Sequence, residues 1–174
     1  MGIVVDAISG RDIANIVKNN IDKPLDLSDV GVKGFFSGLL KSIGDNKISV
    51  LRIWSHGTTH YSDKFETPYN KGNIRFADDQ VDDGTVEKYK IDLSSLQSHL
   101  DAGSRVELRG CQAALTSGAN MMLKLADIWK TEVQGSDRSQ PLLTWTPPVY
   151  SARPGAKALS WAIIVEYNDP RFKK

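Results

Sequence analysis

The stretch Ile48-Ser49-Val50-Leu51-Arg52-Ile53-Trp54-Ser55-His56-Gly57 decides the fold. Its first seven residues are apolar or β-branched often enough to predict a buried strand. The strand runs straight into a short turn that sets a histidine beside a glycine. About 55 residues later the pattern returns: Arg105-Val106-Glu107-Leu108-Arg109 leads into Gly110-Cys111-Gln112. Two such strands, if parallel, deliver His56 and Cys111 to one edge of a sheet, the carboxyl edge at which α/β folds collect their ligands.

Working outward, Ile3 to Ile8 reads as a short buried strand. Ser9, with Asp12 three residues on, resembles a capping box for a first helix carrying Ile13, Ile16 and Val17 to about Asn20. Val32, Phe35, Phe36, Leu39, Leu40 and Ile43 recur at helical spacing, and Gly44-Asp45-Asn46 closes that second helix. From Thr58 to about Lys90 the chain is polar and turn-rich. Ile74-Arg75-Phe76 there suggests a hairpin on a surface excursion spanning about 58–92. Ser94 can cap a short helix through Leu100. A further helix carries Leu115, Ala119, Met122, Leu123, Ala126 and Trp129 on one stripe. Glu132 to Gln134 reads as a strand, Pro141 to Pro154 as irregular, and Trp161 to Tyr167 as a final strand. The order predicts one α/β domain over residues 1–174, with a largely parallel central sheet flanked by helices.

A chain of 174 residues buries enough surface to need neither disulfide nor structural metal. Lys+Arg number 22 against Asp+Glu 21, which gives no electrostatic reason to expect nucleic acid as a partner. Cys111 is the only cysteine, so no intrachain disulfide forms, in keeping with a reducing compartment. The N-terminal Met1-Gly2-Ile3-Val4-Val5-Asp6 lacks a signal-peptide pattern, and no apolar run has the length of a membrane span. The expected location is therefore cytoplasmic, or outside the cell by a signal-independent route, with no transmembrane segment.

The chemistry explains why these residue types would be paired. A free thiol titrates near 8.5 and is mostly protonated at neutral pH. An adjacent imidazole can take its proton and later return one to a leaving amine. Gly57, without a Cβ, lets a substrate carbonyl approach, and the backbone N–H groups of Gly57 and Cys111 are candidates for an oxyanion hole.

A hydrophobic strand ending in Ser55-His56-Gly57, followed by one ending in Gly110-Cys111, resembles the caspase-like (clan CD) cysteine peptidases, the bacterial members in particular. In caspases too the histidine precedes the cysteine by about 50 residues. The resemblance implies a three-layer sandwich, Cys111 as nucleophile, His56 as the catalytic histidine, Gly57 as the glycine beside it, and hydrolysis of a peptide or protein substrate. Caspases read Gln-Ala-Cys-Arg-Gly, whereas here Arg109-Gly110 precedes Cys111 and Gln112-Ala113-Ala114 follows it, so no cleavage specificity carries over. Two other readings stand beside this one: a catalytically silent caspase-like binding or regulatory module, and a thiol hydrolase or toxin acting on a non-peptide amide or ester.

The remaining polar and aromatic residues have plainer readings. Cys111 alone would most simply be a small buried hydrophobe. His60, four residues past His56, lacks the helix and third ligand a zinc site needs. Asp78-Asp79 and Asp82-Asp83 lack the spacing of a calcium loop. No metal or cofactor is expected. Trp54, Trp129 and Trp161 read as core, and His99 as surface. Trp145, in the proline-rich segment, can line a substrate pocket or anchor its loop. Arg109 and Arg153 can meet an acidic substrate group or pair on the surface. The charges alternating along Arg105 to Arg109 imply either an open sheet face or local pairing.

Overall fold

The computed structural model describes residues 2–57, 72–138, 140, 145 and 147–162. Three parallel strands form its centre: β1 (Ile3–Ile8), β3 (Ile48–Trp54) and β6 (Leu100–Leu108). β2 (Leu25–Asp26) adds a short parallel edge to β1, and β7 (Glu132–Ser136) continues the parallel run beyond β6. Two antiparallel strands, β8 (Val149–Ala152) and β9 (Ser160–Trp161), complete the order β2-β1-β3-β6-β7-β8-β9. The fold is α/β with a mostly parallel seven-stranded sheet and helices on both faces, as the element order predicts.

One face of the sheet is apolar. Val5, Ala7, Leu51, Ile53, Val106, Leu108, Val133 and Ala152 alternate along their strands and share a single core with α2 (Val32–Ile43) and α4 (Gly118–Trp129). In α2 the predicted stripe holds, with Val32, Phe35, Phe36, Leu39 and Ile43 buried. Each such side chain, fully buried, contributes about 1.5–3 kcal/mol of transfer free energy. In α4 the inward stripe is Gly118, Met121, Met122, Leu125, Ala126 and Trp129, rotated from the predicted one. Leu115 precedes the helix, in a run of turns over 111–117.

The opposite face carries a second, smaller cluster. Ile8 and Trp54 pack there against Ile13, Ala14, Val17 and Ile21, on and beside α1 (Ala14–Asn20). α1 starts later than the capping-box reading requires. Ser9 does not cap it; its hydroxyl donates to the Arg75 carbonyl at 2.8 Å and lies 3.3 Å from that of Trp54. Ser94 likewise ends α3 (Lys90–Ser94) instead of starting a helix, and donates to Ile91 O. A 3-10 turn, Gln97–His99, follows, leaving His99 half-buried.

The hairpin of β4 (Ile74–Phe76) and β5 (Asp79–Val81) forms as predicted, but it is no surface excursion. Ile74, Phe76, Val81, Val86, Tyr89 and Leu93 are all buried in the main core. The aspartates serve structure. Asp79 Oδ2 accepts from Val32 N at 3.0 Å, capping α2 from outside the helix, while Tyr89 donates to its other oxygen. Burial pushes the Asp82 carboxyl up, but hydrogen bonds from Gln80, Thr85 and Gly84 outweigh that and hold it below the usual carboxylate range.

Two further expectations give way. Pro141 to Pro154 contains β8, whose strand signal is only four residues long. Trp161 is 73% exposed on the two-residue β9, beside the Tyr150 ring, and is not core. The predicted continuation to Tyr167 lies outside the described residues.

The alternating charges of β6 resolve into local pairing. Asp6, Arg52, Glu107, Gln134 and Ser151 stand in one register row across five strands. Glu107 is fully buried and receives three arginines: Arg52 Nε at 3.2 Å, Arg105 Nε at 2.8 Å and Arg109 Nε at 2.9 Å. Arg52 also reaches Asp6, which accepts the indole N–H of Trp54 at 2.9 Å. A charged row at the centre of a sheet is tolerated because each carboxylate is met by guanidinium or indole donors.

Candidate active site

β3 and β6 are hydrogen-bonded neighbours running in the same direction, with Ile53 opposite Leu108. Their carboxyl ends therefore leave the sheet side by side. Arg109 N donates to Ile53 O at 2.9 Å, which holds the two exits together one residue beyond the paired strands. Ser55-His56-Gly57 and Gly110-Cys111 follow directly.

Glycine lets these two turns touch. A Cβ on Gly57 would lie 1.5 Å from the carbonyl oxygen of Cys111, so only glycine fits there. Gly110 is pressed against the other turn; a Cβ on it would meet Ser55 Oγ at 3.0 Å and Gly57 N at 3.4 Å. Gly72, where the described chain resumes after residue 57, also packs closely, since a Cβ on it would lie 2.4 Å from Ala113 O and 2.7 Å from Gln112 O, and it donates to Leu115 O. The chain beyond Cys111 turns sharply: Gln112 sits at φ 58° and Thr116 at φ 49°, left-handed conformations that side chains seldom adopt.

The Cys111 side chain is half-buried beneath the loop that follows β7. Gln140 N donates to Sγ at 3.4 Å, and Sγ lies 3.8 Å from Gln140 O. Arg138 and Gln140 are themselves held in place. The Ser136 hydroxyl donates to Pro148 O and accepts from the Gln140 amide at 2.8 Å, and Gln112 N donates to Arg138 O at 2.9 Å. His56 faces the other way. Its Nε2 stands against Asp12 Oδ2, and the two candidate side chains are not hydrogen-bonded to each other.

Beside His56 lies a cavity of about 230 Å³, lined by Ser9, Gly10, Arg11, Asp12, Ser28, His56, Arg75, Ala77 and Asp78. It occupies the end of β1 on the side of His56 where Asp12 stands; Cys111 is not among its walls. The hairpin closes its far side through Arg75 N, which donates to His56 O at 3.3 Å.

The structure thus brings His56, Gly57 and Cys111 to one edge. Arg109 and Trp145 are near that edge but face each other. The Arg109 guanidinium stands 4.1 Å from the Trp145 ring and 5.6 Å from that of Trp54, with its nitrogens on Glu107. Held so, Arg109 supports the loop and presents no open face to an acidic group; the anchoring reading of Trp145 fits better than pocket lining. Arg153 follows β8, antiparallel to β7, and so sits at the opposite end of the sheet, exposed. His60 lies outside the described residues. Among the described residues no three histidine, cysteine or acidic side chains cluster as metal ligands would, and no helix is long and apolar enough to cross a membrane.

Asp12 and Gln140 are the site neighbours that sequence reasoning passed over. Asp12 had a signal: it stands four residues past the end of β1, at the same carboxyl edge as His56, but its spacing from Ser9 suggested a helix cap. Gln140 had none, because a backbone contact is independent of side-chain identity.

No curated protein and no solved structure matches the sequence. A family model does match, over residues 39–140, from within α2 through β3, β6 and β7 to Gln140. That span contains both turns and the residue resting on the sulfur, and it covers more than half of the chain, which therefore belongs to the family described as Domain of unknown function (DUF4347).

Proposed function

We propose that the chain is a caspase-like cysteine peptidase in which Cys111 is the nucleophile and His56 the acid and base. The single observation that carries this reading is the backbone contact of the two turns, with Gly57 seated on Cys111 at the ends of adjacent parallel strands. In the proposed reaction Cys111 Sγ gives its proton to His56 and bonds to the substrate carbonyl carbon. The backbone N–H groups of Gly57 and Cys111 receive the developing oxyanion. His56 returns the proton to the leaving amine as the C–N bond breaks, and water then hydrolyses the thioester with His56 as base. In a substrate-free site such hydrogen bonds are commonly long, so the missing contact between His56 and Cys111 is compatible with this chemistry.

Cleavage of a mixed peptide library, followed by mass spectrometry, tests the proposal. Cys111→Ala should abolish cleavage and leave the far-ultraviolet circular dichroism unchanged; undiminished cleavage by that variant contradicts it.

A second reading, a silent caspase-like module, is favoured by one feature: the backbone of Gln140 rests on the sulfur where a substrate would approach. A purified chain that cleaves nothing in the library, yet whose Cys111 is alkylated no faster than free cysteine, would support that reading.

A further inference from the structure

Resting on the peptidase reading, we infer that Asp12 is the positioning residue of the site: its carboxylate accepts a hydrogen bond from the Nε2–H of His56, keeps the proton on that nitrogen, and so reserves Nδ1 for the thiol. The contact itself is the first observation. Asp12 Oδ2 stands against Nε2, and Nε2 is closed off from solvent and makes no aligned hydrogen bond among the described residues, so Asp12 is the acceptor within reach of it. A buried ring nitrogen needs such a partner, and an imidazole whose Nε2 carries its proton has only Nδ1 left as a base.

The second observation is that both partners are fixed to the same support. Ile13 and Ala14, directly after Asp12, pack on Trp54, two residues before His56. On the other side of Asp12, Gly10 brings the turn down onto the histidine; a Cβ there would stand 3.3 Å from His56 N. The carboxylate is itself largely exposed, but the backbone that carries it is not free to swing away. A base oriented by a third group is the general arrangement around an activated nucleophile. Here the third group comes from the end of β1, so three neighbouring strands each supply one member.

Selective nitrogen-15 labelling of histidine reads which ring nitrogen bears the proton, and iodoacetamide alkylation reads the reactivity of Cys111. In the intact chain His56 should be the Nε2–H tautomer. Asp12→Ala should scramble that tautomer and slow alkylation at neutral pH tenfold or more, and Asp12→Glu should recover the rate to within about threefold. An unchanged tautomer with a rate within twofold overturns the inference, and so does a scrambled tautomer with an unchanged rate. If instead His56→Ala leaves the alkylation rate unaltered in a chain that keeps Asp12, the peptidase reading itself has failed, and the positioning role falls with it.

Discussion

Glu107 has no exposed surface, and three guanidinium groups converge on it. Removing one member of a buried ion cluster leaves the others desolvated and unmatched, which typically costs about 3–5 kcal/mol. Glu107→Gln keeps the shape and removes the charge, so it should lower the urea-unfolding free energy by about 3 kcal/mol or more. Arg105→Gln should cost much less, because Arg105 is the partly exposed member of the cluster. A loss below about 0.5 kcal/mol for Glu107→Gln would mean that the cluster contributes nothing. At this scale the sequence was half legible. Alternation along Arg105 to Arg109 announced that the charges must pair or meet water. It left the partners unnamed, because Arg52 and Asp6 come from strands brought alongside only by the fold. The candidate pair was legible for the opposite reason: His56 and Cys111 each carry their context, a strand before and a glycine beside, in the local sequence.

Among the elements, those with long, regular patterns were readable. α2 and β3 match their predicted limits because six apolar residues at helical spacing and seven mostly apolar residues in extended order each admit one packing. Short elements without a turn signal to mark them were not. β2 and β8 have two and four residues, and α3 has five, too few for periodicity to outweigh turn signals. Ser9 and Asp12 show how a local motif loses to tertiary demand: the hydroxyl is taken by the hairpin and the carboxylate by His56. The turns after β3 and β6 make the element-scale prediction. Gly57→Ala places a methyl group where the Cys111 carbonyl stands, so one turn must move away. Alkylation of Cys111 should slow at least tenfold, with an overpacking cost of about 1–3 kcal/mol in stability. An unperturbed rate in a folded Gly57→Ala chain would show that the contact between the turns is irrelevant to the thiol.

For the molecule as a whole, the parallel sheet follows from strands separated by long, mostly helical segments, and the order of elements was enough to place both turns at one edge. What the order could not reveal is which way each side chain would face there. His56 turns toward β1 and its cavity, while Cys111 lies under the loop after β7, so the two candidate partners flank a seam between neighbouring strands. A peptide bound across that seam would have to lift the backbone of Gln140 from the sulfur. The most direct measurement is therefore the intact mass of the chain after exposure to a panel of peptidyl chloromethyl ketones, taken in parallel with His56→Ala. The proposed peptidase gains one peptidyl group, on Cys111, with a preference among the peptides, and His56→Ala gains it at least about a hundredfold more slowly. Labelling that is absent, or equally fast without the imidazole, contradicts a His56–Cys111 pair.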